Sequence, residues 1–309
     1  NADVAIDNVG AVTVSNIEPS AGQPAALWIR STDSITVTAL AGLGSAAEND
    51  SVALIATSGN VTLPDSGDAA TTGAADIETT GTGRLEAAAG QVAVSGGTIF
   101  AVMAGDVLLK AQNAQTIATA ITNLDATVTG SGNALTIQEA ATAAGLTLTD
   151  LDGDNSSIQT NGGDIAVTVN DTDSNLVVDG SVTPGTDPNF IVDARGADIS
   201  LTVAGAGSGA IQIENGSTVT TDSTDAQNFG TLSLGGRLVV DGDLHATSGR
   251  TLALSAPAAA MALNAGALAA GGDVTLDGKG ANLTIPNGAE LRISAGGGKL
   301  GNLTVQNAG

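Results

Sequence analysis

The chain has 309 residues, is 42% hydrophobic and carries a net charge of −23. That charge excludes nucleic acid, which needs a basic footprint, and an anionic membrane surface, so no nucleic-acid partner and no membrane insertion are expected. The absence of Cys excludes disulfides, a thiolate metal site and a Cys nucleophile, and there is no apolar run of about 18 residues, the length of a membrane-spanning helix.

In chain order, short runs of alternating aliphatic and small polar residues read as strands at 11–15, 27–30, 34–38, 52–56 and 61–63. Residues 65–83 are mostly Gly, Thr, Asp and Ala and read as a loop insertion. The strand pattern resumes at 84–87, 91–94, 98–103 and 106–110. The stretch 111–123 lacks Gly and Pro and is expected to form a short helix; 138–144 is similarly Ala-rich but too short to be helical alone. The whole of 111–145 is therefore expected as an irregular insertion. Strands return at 146 and run to the end, with a Pro-containing insertion at 181–189.

One phrase recurs: a turn of Gly, Asn or Asp, then four or five alternating residues. It appears as Gly163-Asp164-Ile165-Ala166-Val167-Thr168-Val169 and as Gly272-Asp273-Val274-Thr275-Leu276-Asp277-Gly278. Similar positions fall near Ile211, Leu232, Leu252 and Val274, about 20 residues apart. This predicts an all-β fold, a parallel β-helix or β-solenoid of roughly 20-residue coils, continuous over 1–309. Some 12 to 15 coils rising about 4.8 Å each would give a rod of roughly 60–70 Å. Val, Leu and Ile would face inward, while Thr, Ser and Asp face water. The competing fold is a string of small β-sandwiches. Sandwich cores usually use bulky aromatics, and this chain has one Trp, three Phe and no Tyr. Both ends fall in mid-pattern, at Val4-Ala5-Ile6 and Leu303-Thr304-Val305. Solenoids normally carry atypical caps, so a piece of a longer protein or a polymerising unit is expected.

The stretch Met261-Ala262-Leu263-Asn264-Ala265-Gly266-Ala267-Leu268-Ala269-Ala270-Gly271-Gly272-Asp273-Val274-Thr275-Leu276 resembles the repeats of filamentous-haemagglutinin-type bacterial adhesins. The resemblance extends over about 195–309. It implies a right-handed parallel β-helix and an extracellular, surface-associated structural role. The secretion domain of that family is not recognisable in the sequence, which leaves the transport route open.

The sharpest local chemistry is Asp150-Leu151-Asp152-Gly153-Asp154-Asn155. Three carboxylates at alternate positions around a Gly can converge on calcium, a hard cation that takes many oxygen ligands. Asp150, Asp152 and Asp154 are thus the candidate metal ligands, although Gly153 comes too early for an EF-hand loop and Asn161 stands where that loop has its bidentate acid. Asp171-Thr172-Asp173-Ser174-Asn175 is a second such run. The alternative for both is an ordinary Asp-rich turn on an acidic protein. A Ser-His-Asp triad would have to use His245, the one His, with Asp241 or Asp243, and nothing marks a nucleophile. His245 reads as an exposed turn residue. A polysaccharide-active β-helix enzyme needs a carboxylate pair and usually aromatic platforms. Trp28 is the one strong platform, and it reads as packing between coils.

No catalytic residue and no organic cofactor is assigned, and the chain is expected not to be an enzyme. Two structural functions compete: a rod segment of a large surface adhesin, or a subunit of an extracellular filament or layer that stacks through its end coils. The expected partners are neighbouring segments or copies end to end, and a host or neighbouring-cell surface.

Overall fold

The computed structural model describes residues 4–15, 26–39, 51–62, 77–79, 84–92, 98–101, 106–139, 145–179, 192–204, 208–214, 217–221, 232–240, 243–246, 252–255, 261–263, 267–270, 274–277, 283–284, 290–293 and 303–306. Among these every regular element is a strand, and every strand pairing is parallel. The strands stack in columns. The first runs from Val4–Asn8 to Leu283–Thr284. A second starts at Val12–Ser15 and Ile35–Ala39, and is continued by Ile158–Asn161 through Glu290–Ile293. The third is a separate ten-stranded sheet from Ile77–Thr79 to Leu303–Gln306. This all-β, parallel architecture fits a β-solenoid and a repeat protein.

Alternation explains each strand. In Ile165–Val169 the side chains of Ile165, Val167 and Val169 are buried, while Ala166 and Thr168 are half-exposed on the other face. The buried side chains then stack from strand to strand. Leu135, Ile165, Ile199 and Leu232 are successive register partners, as are Ile137, Val167, Leu201 and Leu234. All eight are exposed by 1% or less. Aliphatic and β-branched residues suit such a pleated, one-sided core, and among the described residues the buried core holds no large aromatic.

The bends are held by side chains that reach the neighbouring rung. Asn133 Nδ2 donates to the Gln112 carbonyl at 2.8 Å, and Asn170 Nδ2 to the Glu139 carbonyl at 2.9 Å. The Ala210 N–H donates to Asn175 Oδ1 at 2.9 Å. These bonds satisfy backbone groups that the strand ladders leave open at the corners. The rungs also meet closely there. A Cβ at Gly163 would collide with the Asn133 carbonyl, which is why this corner takes glycine.

Three expectations need correction. No helix forms over 111–123: Gln115–Ala120 is a strand, and Asn123–Ser131 follows as another. Gln115, Ile117 and Thr119 are buried, with Leu135, Ile137 and Glu139 as register partners. Ladder pairing overrides the local Ala content. With Leu135–Glu139 also a strand, 111–139 is part of the stack rather than an irregular insertion, and 140–144 lie outside the described residues. Ile211 is not equivalent to Leu232. It pairs with Leu176 and Leu238 in the first column, whereas Leu232, Leu252 and Val274 are successive partners in the third. The expected insertions at 65–83 and 181–189 lie outside the described residues, apart from the strand Ile77–Thr79. Partner spacing along the chain varies, from 17 residues between Asp106 and Asn123 to 35 between Leu176 and Ile211.

Glu139 places a carboxyl group in the core. Its side chain points inward with Leu135 and Ile137 and is fully buried. Thr119 Oγ donates to Oε2 at 2.6 Å and the Ile121 N–H to Oε1 at 3.0 Å. Burial pushes its pKa up to about 8 despite both bonds.

Two outcomes follow from this packing. Leu201→Ala removes a fully buried side chain and is expected to cost about 2–5 kcal/mol. Thr202→Ala, one residue on and half-exposed, is expected to cost roughly 1 kcal/mol or less; urea denaturation of the two variants checks the contrast. The folded chain also holds the Glu139 proton more tightly than the unfolded chain does. Its contribution is therefore most favourable below about pH 4.5 and is lost as pH rises to about 8. Glu139→Gln is expected to flatten the fall in stability across that window, by up to a few kcal/mol at roughly 1.4 kcal/mol per pKa unit, measured as ΔG of unfolding against pH.

Candidate metal centre

The site is built where one rung of the ladder is interrupted. Leu148 pairs with Leu124, and the Thr149 N–H donates to the Leu124 carbonyl at 3.1 Å. The ladder resumes when the Ala126 N–H donates to the Ser157 carbonyl at 2.7 Å and Ile158 pairs with Ala126. Between these points 150–156 loop out, and the residue left opposite the gap is Asp125.

The loop folds on itself through its acidic side chains. Asp150 Oδ1 accepts the N–H groups of Asp152 at 3.2 Å and Gly153 at 2.6 Å, and Oδ2 accepts that of Asn155 at 2.9 Å. Such side-chain bonds to backbone two or three residues on are what Asp contributes to turns. Gly153 (φ 83°) and Asn155 (φ 67°) supply the left-handed conformations the turn needs, and these are residue types that adopt them readily.

Asp125 faces outward by parity, like Asn123 and Thr127, yet it is 0% exposed because the loop lies against it. The Leu151 N–H donates to Asp125 Oδ2 at 2.8 Å. Asp125 Oδ1 is buried with no hydrogen-bond partner. One carboxylate oxygen each from Asp125, Asp150 and Asp152 lies within 4.8 Å of the others. Lys110, two positions beyond Leu108 (the register partner of Asp125), reaches across to pair with Asp152 Oδ2.

Two ionisation equilibria are displaced here. Burial pushes the Asp125 carboxyl up to about 7, opposed by the Leu151 N–H and reinforced by the negative charges of Asp152, Asp154 and Asp150. The Lys110 ammonium is held above its usual range, first by its bond to Asp152 and then by the fields of Asp152, Asp154 and Asp125; partial burial opposes this.

Of the residues expected from the sequence, Asp150 and Asp152 are brought together and Asp154 is not in the group. Asp154 Oδ1 instead accepts the Ser156 N–H at 2.9 Å and its hydroxyl at 2.7 Å. Asp125 and Lys110 were missed. Both sit inside strands and come to the loop only through the register, 25 and 42 positions before Asp150 and Asp152. The second acidic run stitches rungs. Asp171 binds the Asp173 N–H and the Ser174 hydroxyl, and Asp173 Oδ1 accepts the Ser208 N–H at 2.9 Å. His245 lies in the strand Asp243–Ala246, with Thr220 and Ala269 as register partners, rather than in a turn. Asp243 is in the same strand, and Asp241 lies outside the described residues. Trp28 is half-buried on the outward side of Ala26–Ser31, with Ala5 and Ala53 as register partners.

No protein-family model, no curated protein and no solved structure matches this chain.

The donor set is all oxygen, which suits hard cations of the calcium or magnesium type and not zinc or copper. The orphaned, buried Asp125 Oδ1 fits such a group. Without a metal, Asp125 behaves as the second buried carboxyl with a raised pKa. Its contribution to stability is most favourable below about pH 4 and is lost as pH rises to about 7. In chelator-containing buffer, Asp125→Asn is therefore expected to raise stability at pH 8 relative to pH 4 when compared with the parent chain; equal pH profiles would contradict the environment described for Asp125.

Proposed function

We propose that this chain is a non-enzymatic, extracellular structural protein: a rod segment of a large bacterial surface adhesin, folded as a right-handed parallel β-helix. The observation that carries the reading is the stack itself. Strand after strand repeats one inward aliphatic pattern, so that added sequence adds length along a single axis. Corner side chains such as Asn133, Asn170 and Asn175 bond to neighbouring rungs. Such a body supplies reach and surface more readily than chemistry. Twelve strands in the first column, about 4.8 Å apart, correspond to a rod of roughly 50 Å. The net charge of −23 suits a solvated exterior. The adhesin-like phrase at 261–276 supports the surface role, and no family match adds to it.

The test has two readouts. Antibody raised against the chain is expected to label the outside of intact source cells, and electron microscopy of the purified chain is expected to show short rods at every concentration. Label confined to the cytoplasm would overturn the surface role. Uniform fibres lengthening with concentration would replace the passive rod by an assembling subunit.

A further inference from the structure

We propose that Asp125, Asp150 and Asp152 bind a calcium ion that clamps the 150–156 loop onto the strand Asn123–Ser131 and takes the place of the Lys110 ammonium at Asp152.

Acidic clusters are common on a chain of this charge, and the cluster alone would carry no weight. The independent observation is Asp125 Oδ1, which is buried, has no hydrogen-bond partner, and belongs to a carboxylate that reaches the group. An unpaired buried acceptor is destabilising, and a cation among the three carboxylates would satisfy it. Thr127 Oγ, two residues along on the same outward parity, is also buried without a partner. Both orphaned oxygens belong to the strand Asn123–Ser131.

The dimensions agree. Oxygens bound to one calcium at about 2.4 Å can stand at most about 4.8 Å apart, and the three carboxylate oxygens lie within that distance of one another. Calcium takes six to eight oxygens. Asp150 is half-exposed and the Asp152 side chain is 14% exposed, so water can complete the shell from that side. Asp150 is already fixed by three N–H groups, so little loop entropy is lost on binding.

Charge points the same way. Four carboxylates, those of Asp125, Asp150, Asp152 and Asp154, influence this spot, and Lys110 is the one cation described as paired within it. Its side chain is 40% exposed and can swing into water when a divalent ion replaces it. The clamp would join the loop to a strand more than 20 positions earlier, tying neighbouring rungs together. This goes beyond the structural-rod reading, which stands or falls separately.

The test is isothermal titration of the full chain, freed of metal by chelator, with calcium chloride at constant ionic strength, together with thermal unfolding. The parent chain is expected to show a saturable binding step and a rise in Tm. Asp125→Asn is expected to weaken that step by at least tenfold. Lys110→Met, which removes the charge paired with Asp152 and leaves all three ligand residues in place, is expected to tighten it by roughly tenfold. No saturable step in the parent chain would overturn the proposal. So would equal binding by a folded Asp125→Asn, because the effect would then come from diffuse negative charge. Should Asp125→Asn fail to fold, Lys110→Met decides: weaker or unchanged binding in that variant contradicts the displacement of Lys110.

Discussion

Each inward aliphatic side chain rests on the equivalent side chain of the next strand, and this contact is made possible by parallel pairing in register. The stacks Leu135–Ile165–Ile199–Leu232 and Ile137–Val167–Leu201–Leu234 are its clearest expression. A shift of one residue would turn every buried side chain outward and every Thr or Ser inward. Register is thus fixed by burial on one face, and the corners must adapt to it. Glycine at Gly163 and side-chain bonds from Asn133, Asn170 and Asn175 are the adaptations visible here.

The same constraint produces the candidate site. The chain between partner residues varies in length, and surplus residues have to leave the ladder somewhere. At 150–156 they leave opposite Asp125. The loop covers an outward-facing carboxylate and converts it into a buried one. Position 125 would be an unremarkable exterior Asp on an uninterrupted rung. Here desolvation and three nearby carboxylates raise its pKa, and the Leu151 N–H opposes them. Glu139 reaches a raised pKa by another route, through an inward position that two hydrogen bonds do not fully offset.

Much of the architecture was legible in the residues. Period-two alternation between Gly, Asn and Asp turns marked strands such as Ile165–Val169, Leu232–Gly235 and Val274–Asp277. The spacing of Leu232, Leu252 and Val274 marked true register partners. Ile211 was misplaced because an inward aliphatic looks the same in every column. The helix at 111–123 was misread because Ala content masked the alternation of Gln115, Ile117 and Thr119. Asp150 and Asp152 were visible as a local motif. Asp125 and Lys110 were not, since their role comes from pairing across distant sequence, and an Asp or Lys in a strand otherwise reads as a solvated face.

Register can be tested directly by cross-linking, since the chain has no Cys. Ala166, Ser200 and Ser233 follow one another on the outward face of the third column. Paired strands about 4.8 Å apart fall within the Cα range a disulfide spans, whereas strands two rungs apart, at about 9.6 Å, do not. The account predicts that the Ser200→Cys/Ser233→Cys and Ala166→Cys/Ser200→Cys pairs oxidise to intramolecular disulfides in the folded chain, and that Ala166→Cys/Ser233→Cys stays reduced. Failure of both neighbouring pairs, or efficient bridging of the skipped pair, would contradict the in-register parallel stack.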